Sequence, residues 1–307
     1  MMSSAHNCVT LGNSLSIVEG IPGISYLPDG TLPWGSDMLT SLKVCLEASP
    51  KYEYYLNTEF TTQALPIPQS AADCNPSDPA TAPDSYPYLM ARPLPIALPA
   101  SFTDATGFIQ VGFDYLQCGH PALGVFTKPH LDVHFYLENA SERTEWTCTP
   151  VAGFPNCAPE EEQPTESDKK FYQLPVANAN VPSDYVLDVE SGGMFQGFHW
   201  TPPDPVHVDE WTESTLIMVT YDFSVLAFEP MIPLVFTQGA DAKRYLSEKL
   251  VYSEQTIELP SGYAAVYDPS SELTTVSVWM EVTFGSTGGM VMVMDMGMGG
   301  RKGGMRD

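Results

Sequence analysis

The chain has 307 residues, 43% of them hydrophobic and 11% aromatic, enough to bury a real core and to exclude a wholly disordered protein. With 38 Asp+Glu against 13 Lys+Arg, the formal net charge of -25 disfavours nucleic acid and anionic lipid as partners. No apolar run is long enough for a membrane-inserted helix, and 28 prolines and 23 glycines point to short strands and many turns.

In chain order, residues 1–20 are polar and read as a loose segment with no basic, apolar secretion signal. Residues 21–60 hold short β-like pieces around Gly20, Gly23 and Gly30, with a short helix expected over 39–46. The prolines of 64–100 read as a long surface loop. Strands are expected at 108–115, 130–138, 185–189, 216–222, 225–228 and 234–236. Residues 158–170 form an exposed charged loop or short helix. A helix is expected over 240–250, then strands at 263–267 and 275–284. The tail, 285–307, is rich in Gly and Met. Its alternating methionines, Met290 to Met298, suit a terminal strand or a flexible tail, or soft ligands for Cu(I). The reading is one β-rich domain over 21–284, with its chief motifs in 105–240. It is mainly antiparallel, a barrel or sandwich with long proline-rich loops and little helix.

None of the six cysteines forms a Cys-x-x-Cys pair, so they suit disulfides better than a zinc knuckle. Cys148 and Cys157, in one turn-rich loop, are the best local pair. The alternative is six free thiols. Disulfides, few basic residues and many Asp favour an extracellular, cell-envelope or saline setting. A glycosylation triplet stands at Asn139-Ala140-Ser141.

The segment from Lys128 to Glu138 carries most of the chemistry. In a strand, side chains alternate between faces, so His130, Asp132 and His134 share one face and Leu131, Val133 and Phe135 the other. Two imidazoles and a carboxylate in a row form an N,N,O donor set for a divalent Zn, Mn, Fe, Ni or Cu ion. His120, His199 and His207 can add to it, as can Glu229, which Pro230 is expected to hold at a strand end. The expected ligands are His130, His134, His199 and Glu229, with Glu229 as fourth ligand or general base. His120 and Asp132 would orient the ligands from behind. The alternative is a buried hydrogen-bond network that only holds the core in register. The chain has no Gly-x-Ser-x-Gly elbow, no dinucleotide fingerprint and no phosphate loop. Glu160, Glu161 and Glu162 form a solvated run. Tyr52, Tyr54, Tyr55, Trp200 and Trp211 could make a glycan platform, though core packing is the commoner use.

These residues resemble a mostly bacterial family catalogued as a domain of unknown function, whose structural prototype is a Thermus protein controlled by an extracytoplasmic sigma factor. The likeness rests on Gly119-His120, Gly124-Val-Phe126, Pro129-His-Leu-Asp-Val-His-Phe-Tyr136, Gly197-Phe-His-Trp200 and Phe228-Glu-Pro-Met231. It is strongest from 105 to 240 and looser from 20 to 284. Two positions depart from the pattern: Pro121 follows His120 where the family has an acidic residue, and Leu131 replaces an aromatic. The resemblance implies a β-rich secreted or envelope protein that forms homo-oligomers, with His130, His134, His199 and Glu229 in one cavity. It implies no reaction. Whether the chain is a metal-dependent enzyme, a structural assembly protein or a small-molecule or glycan binder stays open at this point.

Overall fold

Segments of alternating polar and apolar residues become strands when a neighbour supplies the backbone partners that water would otherwise provide. A computed structural model describes residues 7–10, 43–48, 53–60, 94–98, 100–116, 126, 128–143, 145–149, 157, 160–163, 165–173, 180–193, 197–203, 211–237, 244–252 and 259–281. These residues are mainly β. The strands are β1 (Asn7–Thr10), β2 (Lys43–Ala48), β3 (Glu53–Phe60), β4 (Leu94–Ala97), β5 (Gln110–Leu116), β6 (His130–Tyr136), β7 (Val186–Gly193), β8 (Gly197–Thr201), β9 (Thr215–Tyr221), β10 (Ser224–Pro233), β11 (Arg244–Lys249), β12 (Gly262–Asp268) and β13 (Leu273–Glu281). Helix is confined to short pieces: α1 (Ala100–Thr106), α2 (Ala140–Arg143), α3 (Glu166–Lys169) and α4 (Leu234–Thr237), with two single 3-10 turns. No described helix is long and apolar enough to cross a membrane.

The strands form two antiparallel sheets. One has the order β1-β2-β3-β13-β12-β11 and the other β4-β5-β6-β10-β9-β8-β7. Both orders have free ends, so neither sheet closes on itself among the described strands. One apolar cluster joins the sheets: Leu56, Val276 and Val278 belong to it from the six-stranded sheet, and Val133, Phe135 and Phe228 from the seven-stranded one. Phe108 packs its ring edge-on against Phe228 at 6.1 Å between centroids. Each such fully buried aromatic contributes about 1.5–3 kcal/mol. The opposite face of the seven-stranded sheet is also covered. Tyr136, Trp146, Tyr221 and Leu226 form one cluster there, and Phe126, Trp211, Ile217 and Met231 another. Every residue of β6 is therefore buried.

Several expectations change. Residues 43–46, expected as helix, lie in β2, and 244–249 in β11. Short segments fit both periods, and the ladder decides: β2 pairs with β1 and β3, and β11 pairs with β12 from Arg244 opposite Tyr267 to Lys249 opposite Gly262. Residues 234–236 turn as α4 because Pro233 ends the ladder and the Leu234 N–H donates to the Pro129 carbonyl. Part of the supposedly loose N-terminal segment is β1, whose register sets Cys8 opposite Cys45. The proline-rich 64–93 lies outside the described residues, as does the tail, while β4 and α1 occupy the end of the expected loop. Within 158–170, Glu160, Glu162 and Glu166 are exposed as expected.

Glu145, Lys170 and Gln173, from the chain after β6, hydrogen-bond to Tyr221, Asp222 and Phe223 at the tip of the β9–β10 hairpin. Cys148 and Cys157 are joined by a disulfide with 5.5 Å between Cα atoms. The buried Gln163 side chain accepts from the Thr149 N–H at 2.6 Å and donates to the Thr149 carbonyl at 3.2 Å. Lys170 pairs with Asp222 at 2.8 Å. The two-residue hairpin loop sets Asp222 at φ 48° and Phe223 at φ 65°. A non-glycine residue there is strained by about 1 kcal/mol or more. The strain persists because both N–H groups are held, by the carbonyls of Lys170 and Gln173. Phe223 is half exposed, so Phe223→Gly forfeits little packing. We expect it to raise stability by about 1 kcal/mol, read as a higher midpoint in urea. A lower midpoint would show that the Phe223 ring has a packing partner.

Candidate metal centre

Period-two alternation puts Leu131, Val133 and Phe135 into the layer between the sheets and His130, Asp132, His134 and Tyr136 on the opposite face. The β6–β10 register sets Phe228 opposite Phe135 and Met231 opposite Asp132, which brings Glu229 level with His134. Pro230 does not end the strand, contrary to expectation. Its missing N–H coincides with a gap in the β6 ladder between Phe228 and Met231, yet β10 continues to Pro233. Glu229 is therefore a mid-strand residue, 1% exposed. His199 comes from β8, next to β9, where Val219 is its partner. Gly197 allows this approach. It sits at φ +89°, and a Cβ there would lie 2.5 Å from the Val219 side chain.

The donors meet as follows. His134 Nε2 lies 3.3 Å from Glu229 Oε2, and His199 Nε2 lies 3.8 Å from the same oxygen. His130 Nε2 lies 3.2 Å from Asp132 Oδ1. All five side chains are at most 2% exposed. His130 Nδ1 is 2.6 Å from the Lys128 carbonyl. A carbonyl can only accept, so Nδ1 carries the proton and the neutral ring presents a lone pair at Nε2. Burial lowers the His130 pKa to about 4, against smaller upward pulls from that carbonyl and from Glu229. Burial also lowers the pKa of His199, with Glu229 and Asp188 pulling it up. Neither ring nitrogen of His134 or His199 makes a hydrogen bond among the described residues. An unsatisfied buried polar group costs about 1–3 kcal/mol, so four of them call for an explanation.

Aromatic rings wall the cluster. His134 stacks on Tyr136 at 5.3 Å. The buried Arg143 guanidinium sits 3.8 Å over the same tyrosine ring. Trp211 meets His130 edge-on at 5.0 Å and Phe126 at 5.2 Å. Its indole N–H donates to Thr215 Oγ1.

The structure thus brings His134, His199 and Glu229 together and sets His130 apart with Asp132. Asp132, expected behind a ligand, stands level with the donors as the partner of His130 Nε2. Among the described residues no group of three or more His, Cys, Asp and Glu is arranged so that it could hold a metal ion as it stands. His120 and His207 lie outside the described residues. Trp200 and Trp211 are 3% and 1% exposed, which removes both from any glycan platform; the side chains of Tyr52, Tyr54 and Tyr55 lie outside the described set. Asn139 caps α2, its side-chain oxygen accepting from the Ser141 hydroxyl and the Glu142 N–H.

Asp188, opposite His199 in the β7–β8 ladder, was not anticipated. Its only sequence signal is an acidic residue inside an apolar strand. The Tyr136–Arg143 stack was not legible either, because it depends on the path of the chain after β6.

Comparison of the chain with family models, curated proteins and solved structures gives no match. The functional reading rests on the site itself.

Proposed function

We propose that the face of the seven-stranded sheet turned away from the six-stranded one binds a divalent transition metal through His134, His199 and Glu229. The observation that carries this reading is the aim of two buried imidazole Nε2 atoms, neither hydrogen-bonded, at one buried carboxylate oxygen. Two donors bound at about 2.1 Å to one tetrahedral ion stand about 3.4 Å apart. The 3.3 Å and 3.8 Å separations bracket that value. Neutral imidazole with a carboxylate suits Zn, Mn, Fe, Ni or Cu. Asp188 is placed to steady His199 from the neighbouring strand.

Such an ion acts as a Lewis acid and lowers the pKa of a bound water, so the class of chemistry open to an enzyme here is metal-assisted attack by water. Glu229, the carboxylate of this three-donor set, is the group that would take the proton. Two sheets sharing one apolar layer read as a sandwich. The Cys148–Cys157 disulfide favours an extracellular or envelope setting. Homo-oligomer formation is implied only by the motif resemblance, and mass by light scattering tests it.

The decisive experiment is elemental analysis of purified protein after equilibration with Zn(II) and removal of free ion. At least one equivalent per chain is expected, with loss of binding in the His134→Ala, His199→Ala double variant. If the wild type holds no metal and the double variant only lowers the melting temperature, the histidines form a structural network instead.

A further inference from the structure

His134, His199 and Glu229 are each at most 2% exposed, so an ion reaches them only when a cover moves. The ladders show which covers meet there. Tyr136, Ala227, Val219 and His199 are successive partners across β6, β10, β9 and β8. His134 and Glu229 stand one step further along the same face. Trp146 and Cys148 cover the first row, in one cluster with Tyr136 and Val219. Trp211 and Phe126 cover the other side, over Ile217 and Met231. The donors therefore lie at the seam between two covers.

The two covers are held differently. Trp211 is anchored on the sheet itself, through its indole N–H to Thr215. The Trp146 cover is a strap running from α2 to Thr149. Arg143 lies over the Tyr136 ring at 3.8 Å, and the Glu145 carbonyl accepts from the Tyr221 hydroxyl at 2.9 Å. Beyond Trp146 the strap is fastened by the Cys148–Cys157 disulfide and by the two bonds between Thr149 and Gln163. Between the strap and the β9–β10 hairpin lies a cavity of about 320 Å³. Glu138, Glu142, Glu145 and Asp222 line it beside Lys170, and an excess of carboxylates draws cations. Trp146 also lines it, 6.4 Å from the Tyr136 ring that stacks on His134.

We propose that the strap is a redox-controlled cover of the metal centre: the Cys148–Cys157 disulfide holds it shut over a bound ion, and reduction lets it open at the acidic cavity, where the ion passes. This rests on the reading of that face as metal-binding. The reductant is a thiol. Its thiolate attacks one sulfur of the S–S bond and forms a mixed disulfide. A second thiolate then displaces the remaining cysteine, so Cys148 and Cys157 each end as a protonated thiol and the two external thiols as one disulfide. The link spans nine residues, and a cross-link of this kind restricts the open chain more than the closed one.

The test separates the rate of zinc release from the zinc count. Zinc-loaded full-length protein is mixed with excess EDTA, and the wild type is compared with the Cys148→Ser, Cys157→Ser double variant. Equal zinc per chain before mixing is expected, with release at least about tenfold faster in the double variant. Val276→Ala is the control. It removes packing from the layer between the sheets without touching the strap, and should release zinc at the wild-type rate. Equal rates in wild type and double variant, or the same acceleration in Val276→Ala, overturn the redox cover and leave the metal centre standing. A wild type that holds no zinc overturns both. Where the double variant does not fold, the wild type is treated with a water-soluble phosphine and peptide mass mapping identifies Cys148 and Cys157 as the reduced pair. Faster release then supports the cover, and an unchanged rate overturns it.

Discussion

Metal-free protein taken from neutral pH to about pH 4 will lose on the order of 3 kcal/mol of stability through His130 alone. The folded state holds this imidazole at a pKa of about 4, against its ordinary 6.5, chiefly because burial penalises its charged form. Above 6.5 neither the folded nor the unfolded chain binds the proton, and the full stability is present. As the pH falls below 6.5 the unfolded chain takes up the proton and the folded chain does not, which draws the equilibrium toward unfolding. The loss is complete once the pH has passed through the folded value. His199 shifts in the same direction for the same first cause and adds to the effect. Urea midpoints measured across this window should drop steeply in the wild type and less steeply in His130→Gln. Equal slopes would show that His130 is solvated in the folded chain, against its burial here.

Replacing the first donor group with apolar residues should make the metal-free protein more stable. The side chains concerned are His134, His199 and Glu229, each at most 2% exposed. Buried charged and polar clusters often give way to packed hydrophobic residues with a gain of about 1–4 kcal/mol, because the desolvation penalty disappears. The triple variant His134→Leu, His199→Leu, Glu229→Met is therefore expected to melt higher without metal and to bind one equivalent less. A cluster maintained for function at the expense of stability behaves in this way. A structural network behaves oppositely, since removing one partner of a buried pair costs about 3–5 kcal/mol. Glu229→Gln keeps the side-chain volume and so separates a packing misfit from a broken network. A loss of that size in metal-free Glu229→Gln would sink the metal reading of this group.

Strand periodicity is local, so it was legible in the sequence. It set His130, Asp132 and His134 on one face of β6 and Leu131, Val133 and Phe135 on the other, and the structure keeps that division. The elements read incorrectly share one cause. Segments 39–46 and 240–250 are short enough to fit a helix or a strand, and their neighbours in the ladder settle the choice. Pro230 illustrates the same dependence. A residue that ends an isolated strand is carried through β10, because β9 pairs with every residue from Ala227 to Met231 while the β6 ladder skips Glu229 and Pro230.

Composition and alternation by themselves determined a β-rich, strongly acidic chain with a row of metal-type donors on one side of a strand. Which donors meet was decided by tertiary structure. Glu229 reaches His134 only through the register of two strands far apart in the chain, and His199 joins only because Gly197 lets β8 approach β9 closely. Burial of the polar face was decided there too, by Trp211, Phe126 and the segment that follows β6. The physical reason is that alternation depends on adjacent residues, while register and covering depend on contacts between distant ones, which no single segment encodes.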